Sequence, residues 1–241
     1  MKNILTLLFV FITFAVTAQT KLVPGDPSIE TKWIKNEKYQ MKWFVLRGPE
    51  KFEVAKINTE VKAGTKQLSI ISSVDVIKAT TKWIDSTITA FPTLKPIRHY
   101  SDNLERGVSL KFGETIIGKY DDKVMKKKVV IDEAITGEYF DSNFYPYLVR
   151  LLPLKEGYTK EVSAYDYGPT RQGLFSFLVK GVKSGSYKTK KGAVPVWIVT
   201  SVEIIKGQRN DVSYYIAKSD RKLWKMEVFD GVQQMLLERT E

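Results

Sequence analysis

From Glu37 onward, apolar and polar residues alternate with a period of two, and turn-forming residues interrupt the pattern about every eight to twelve positions. A segment patterned this way buries one side only as a β-strand, because a helix needs apolar residues three and four apart. Tyr39, Met41, Trp43 and Val45 alternate with Lys38, Gln40 and Lys42 until Gly48-Pro49 stops the run. The same reading predicts strands over 51–61, 67–77, 80–90, 97–101, 108–112, 115–120 and 124–131, and again over 158–167, 174–182, 194–205, 212–217, 222–229 and 232–238. Links this short place successive strands antiparallel, since a parallel crossover takes about a dozen residues or more.

The last two strands allow a register to be read. Asp230-Gly231 is a two-residue hairpin signal that pairs Phe229 with Val232. Trp224 then opposes Leu237 and Met226 opposes Met235, which predicts a buried face of Trp224, Met226 and Val228. One stretch breaks the period. Asp141-Ser142-Asn143 offers N-cap side chains, Phe144, Leu148 and Leu151 or Leu152 recur at helical spacing, Pro146 is tolerated in a first turn, and Pro153 halts the run. The expected fold is mainly β: a single curved antiparallel sheet, a half-barrel or incomplete barrel, with one short covering helix at about 143–152. No linker composition divides the chain, so residues 19–241 are expected to form one domain.

The N-terminus carries a different signal. Lys2 precedes an apolar run from Ile4 to Val16, and Val16-Thr17-Ala18 presents small residues before Gln19. A basic start, an apolar run well short of the roughly 20 residues of a membrane span, and a small residue at the cut predict a cleaved signal peptide ending at Ala18/Gln19. The expected location is periplasmic or secreted, with no transmembrane anchor after cleavage. The absence of cysteine excludes disulfides, thiolate metal sites, thiol nucleophiles and a lipidated cysteine. One histidine excludes mechanisms and metal sites that need two imidazoles. Neither a metal site nor a cofactor is expected.

Charge is the first feature that asks for a function. The formal charge is +11, or +10 once Lys2 leaves with the signal peptide, and Lys126-Lys127-Lys128 together with Lys188, Lys190 and Lys191 form its densest clusters. Lysines of this kind guard sheet edges or contact anionic surfaces, which outside the cytoplasm means headgroups or acidic glycans. Nucleic acid is not an expected partner, since arginine is scarce and no aromatic residues interleave the cluster. Aromatic residues are the second feature. Trp43, Trp83, Trp197, Tyr215 and Trp224 fall on expected strands, and with Phe144, Leu148 and Met226 they are the candidates for an apolar ligand face beneath the helix.

No catalytic residue stands out. His99 lies between Arg98 and Tyr100, where a cationic neighbour disfavours imidazolium and no partner is identifiable. Ser219-Asp220-Arg221-Lys222 matches an S-x-x-K pattern but lacks its companion motifs and reads as a turn. Asp121-Asp122 and Asp132-Glu133 are adjacent on strands, so each pair points to opposite faces.

Thr81-Lys82-Trp83-Ile84-Asp85-Ser86-Thr87, then Pro96-Ile97-Arg98, resembles a family of exported bacterial proteins of unknown function. The resemblance continues through Tyr145, Leu148, Arg150 and Leu152-Pro153-Leu154, and into Tyr214-Tyr215-Ile216 and 221–227. That family is itself similar to the periplasmic lipoprotein carriers and receptors. The resemblance implies a curved half-barrel under helical cover whose concave face holds acyl chains. The function expected is a non-enzymatic envelope protein that accommodates an apolar or lipid-like ligand, or a lipidated partner, on that face. The alternatives are a module that docks another envelope protein without a ligand cavity, and a hydrolase using carboxylates dispersed in sequence.

Overall fold

The computed structural model describes residues 21–168, 171–205 and 208–241; the expected signal peptide and its cleavage point at Ala18/Gln19 lie outside the described residues. The strands are β1 (Glu37–Arg47), β2 (Glu50–Ala63), β3 (Gln67–Val76), β4 (Trp83–Ala90), β5 (Pro96–Asp102), β6 (Arg106–Lys111), β7 (Thr115–Asp122) and β8 (Lys127–Ala134). Then follow β9 (Phe140–Asp141), β10 (Lys160–Gly168), β11 (Arg171–Thr189), β12 (Gly192–Ile205), β13 (Gln208–Ala217), β14 (Leu223–Phe229) and β15 (Gln234–Arg239). Each strand predicted from the alternating pattern is present, and all fifteen join one sheet in the order 8-7-6-5-4-3-2-1-15-14-13-12-11-10-9. The chain starts mid-sheet, meanders out to β8, crosses over, and meanders back from β10 until β15 closes on β1. Neighbours are antiparallel except β9 and β10, which run parallel because the helical stretch separates them.

The sheet curls until strands near its two ends touch. The Tyr165 hydroxyl on β10 donates to Glu133 on β8 at 2.8 Å, and Tyr120 and Tyr167 rings lie 5.7 Å apart. The curl stops short of closure, so β8 keeps a free outer edge among the described residues.

The covering helix is a plug rather than a cap. Residues 142–151 form a 3-10 turn (Ser142–Phe144), one α turn (Tyr145–Leu148) and a second 3-10 turn (Val149–Leu151), close to the expected bounds. Phe144, Tyr145, Leu148, Val149 and Leu151 are buried within the main core, against Met41, Val61, Phe177, Val199 and Tyr214 of the concave face. The Tyr145 ring stacks on Phe177 with centroids 3.9 Å apart. Burying such rings at roughly 25 cal/mol per Å2 makes the plug the centre of the core.

Two expectations need correction. The hairpin before the C-terminus turns one residue later than Asp230-Gly231, since Phe229 pairs with Gln234 and Met226 opposes Leu237. Asp230 Oδ1 accepts from the backbone N–H groups of Val232 and Gln233, which moves the tight turn to Gly231-Val232, with Gly231 at φ +91°. The slip is two residues, so the faces survive, and Met226 and Val228 pack on the core as expected. Trp224 does not. A bulge pairs Tyr215 with Lys225 and Ile216 with Leu223, which turns Leu223 into the core and Trp224 onto the convex face against Tyr187. The second correction concerns β8, which starts at Lys127; Val124, Met125 and Lys126 form its hairpin loop, with Lys126 at φ +53°.

Candidate functional site

The plug is tied down by polar groups at both ends, and one of these ends opens to a cleft. At the C-terminal end, Arg150 is 2% exposed, donates through Nε to the Arg221 carbonyl at 2.7 Å, and holds Nη1 2.6 Å from Glu37 Oε1. That contact is an ion pair by distance without in-line hydrogen-bond geometry, since neither atom has a hydrogen-bond partner.

At the N-terminal end, Asp141 caps the plug by accepting from Asn143 N–H at 3.2 Å. The same carboxylate accepts a short hydrogen bond from the Thr87 hydroxyl and lies 2.9 Å from His99 Nδ1. Thr87 and His99 are cross-strand partners on β4 and β5, so one face presents both to Asp141. His99 is 8% exposed. Burial alone would push the imidazole down, but Asp141 beside it, with Asp85 and Asp166 further off, raises it above the ordinary histidine value. The expectation that His99 lacks a partner and disfavours imidazolium is therefore corrected: Arg98 points to the opposite face, and the partner arrives from 42 residues along the chain.

Beyond this pair lies a cleft of about 230 Å3 lined by residues of six strands and the plug. Its polar lining includes Asp85, His99, Arg106, Asp166 and Glu203, and its apolar walls include Trp83, Phe175 and Phe177. Ser142 at the start of the plug donates to Asp166 Oδ1 at 3.1 Å. Glu203 is 4% exposed, and burial raises its carboxyl to about 7 even though Tyr214 and Ser201 donate to it at 2.5 and 2.8 Å. Trp83 Nε1 and Arg106 Nε are buried donors with no partner. Acids dispersed in sequence thus converge, while Asp121-Asp122 and Asp132-Glu133 remain outside the cleft.

The aromatic candidates separate. Trp83 lines the cleft, and Trp43 on the same face meets it edge-on with centroids 6.5 Å apart. Phe144 and Leu148 are wholly buried in the plug, and Trp197 and Met226 pack at the margin of the main core. Tyr215 and Trp224 sit with Tyr187 on the convex face. Lys126 in the hairpin loop and Lys127 and Lys128 on β8 are exposed. Ser219 lies in a turn where the Lys222 amine pairs with Asp220 at 2.8 Å, as the turn reading expects. Among the described residues no cluster of three or more ligating side chains suits a metal ion, and no helix is long and apolar enough to cross a membrane.

A family model for a protein of unknown function, DUF3108, matches residues 38–238. The chain belongs to the DUF3108 family. The DUF3108 match runs from the second residue of β1 to the next-to-last of β15 and takes in every residue that lines the cleft and both polar anchors of the plug except Glu37. No curated protein and no solved structure matches the chain.

Proposed function

We propose that this DUF3108 chain is an exported, non-catalytic binding protein of the cell envelope whose ligand enters the cleft beside His99 and carries hydroxyl groups on a ring, as a sugar unit of an envelope glycan does. The observation that carries this reading is the pairing of carboxylate acceptors, Asp85 and Asp166, with two buried donors that have no partner, Trp83 Nε1 and Arg106 Nε, across aromatic walls. Hydroxyl groups serve both kinds of partner, and ring C–H faces pack on Trp83 and Phe175. A binding role fits the local bonding. Asp141 is committed to Thr87, His99 and the plug cap, and the Ser142 hydroxyl to Asp166.

The resemblance to lipoprotein carriers would put an acyl chain on the concave face. Phe144, Tyr145 and Leu148 already fill that face, which is why the reading shifts to the polar cleft. The test is ligand-observed NMR and calorimetry with neutral and amino-sugar trisaccharides, alongside native mass spectrometry and lipid extraction of the purified protein. Binding weakened at least tenfold by Trp83→Ala and by Asp166→Asn supports the proposal. A co-purifying lipid, or saccharide binding indifferent to both substitutions, refutes it.

A further inference from the structure

The outer edge of β8 ends the sheet, and no strand among the described residues pairs with it. Exposed edges are ordinarily blunted by charged side chains, lysine above all, which disfavour pairing with a second strand. This edge changes sign along its length. It reads Lys127-Lys128-Val129-Val130-Ile131-Asp132-Glu133, so that about Val130 each lysine mirrors an acid: Lys128 mirrors Asp132, Lys127 mirrors Glu133, and Val129 mirrors Ile131.

The mirror relation matters because directly opposed residues of an antiparallel pair share a face of the sheet. Ile131 faces the concave core, which puts Lys127, Val129 and Glu133 on that face and Lys128, Val130 and Asp132 on the convex one. An antiparallel alignment centred on Val130 keeps each face with its own kind. It also sets Lys128 against Asp132 at two positions and Lys127 against Glu133 at two more, where Glu133 keeps its hydrogen bond from Tyr165 and offers Lys127 its charge alone. Val130, 79% exposed and more open than any other large apolar strand residue described, meets its own copy at the axis. The lysines are available for this. Lys128 lies 3.9 Å from Asp121, beyond hydrogen-bond length, and its side chain is largely exposed. A partner acidic along its whole length would satisfy Lys127 and Lys128 but oppose Asp132 and Glu133. Self-complementarity therefore selects one occupant, a second copy.

We propose that two copies of this chain pair antiparallel through β8 about a two-fold axis at Val130, joining their sheets edge to edge. The interface is isologous, so it closes at a dimer and does not propagate.

A chain without cysteine makes the register directly testable. The Val130→Cys variant brings each thiol against its own copy and is expected to cross-link under mild oxidation at least tenfold faster than Lys128→Cys, whose thiol opposes position 132. In sedimentation, the parent protein is expected to be dimeric at tens of micromolar, with a dissociation constant that rises with salt. Lys128→Asp should weaken the dimer at least tenfold, and Lys128→Asp combined with Asp132→Lys should restore it, with circular dichroism confirming that each variant is folded. A monomeric parent protein at 100 micromolar overturns the proposal. So do cross-linking equal at positions 128 and 130, and a dimer untouched by Lys128→Asp.

Discussion

Replacing Glu203 with glutamine isolates the cost of burying a carboxylate under the plug. Glu203 Oε1 accepts from Tyr214 and Ser201, and the amide oxygen of glutamine accepts from both in the same place. What changes is the proton. Burial raises the Glu203 carboxyl from 4.5 to about 7, so the folded chain holds that proton more tightly than the unfolded chain does. A group shifted upward contributes stability that is fully present below its unfolded value and is lost as pH rises through its folded value. For Glu203 the window runs from about pH 4.5 to about pH 7. At about 1.4 kcal/mol per pH unit, the loss across it is about 3 kcal/mol.

Glutamine does not titrate, so the Glu203→Gln variant should match the parent near pH 4.5. It should exceed the parent by about 3 kcal/mol at pH 8. The assay is urea unfolding by tryptophan fluorescence at half-unit pH steps, reading the difference between the two proteins. His99 loses stability in the same direction as pH rises, and it cancels in that difference. A gap that is constant with pH, or that widens toward acid, refutes the claim that burial of an ionised Glu203 sets the slope. An unchanged m-value is required for the comparison to hold.

Because His99 is the sole histidine, its Hε1 proton gives one resonance to follow by NMR titration; its midpoint should lie above 6.5 in the parent and fall in Asp141→Asn, where only the more distant Asp85 and Asp166 still oppose burial. A midpoint that does not move would detach His99 from Asp141. Arg150→Met leaves Glu37 buried without its closest cation, which should cost about 3 to 5 kcal/mol and lower Tm by roughly 6 °C or more in a thermal scan. A loss under about 1 kcal/mol would show that Arg239, 3.7 Å from Glu37, suffices.

What the sequence revealed and what it withheld divide along local and non-local lines. The period of two located the strands because each strand's burial is decided by its own residues. It failed where neighbours decide: Trp224 alternates correctly with Met226 and Val228, but a bulge in its pairing with β13 turns it outward. The helix spacing of Phe144, Leu148 and Leu151 announced an amphipathic element, yet two faces of it are buried because the sheet curls around it, and curl has no signature in 142–151. The cleft depends on still longer connections. Thr87 and His99 share a face by simple register, but Asp141 and Glu203 reach them only through the crossover after β8 and the meander back from β10. The β8 edge is the converse case. Its lysines and acids are adjacent in sequence, and reading each pair alone makes Lys127-Lys128 a solvated patch and Asp132-Glu133 a divided couple. Only when the topology leaves that strand at the end of the sheet do the two halves become partners, because a complement has meaning only along an edge still free to pair.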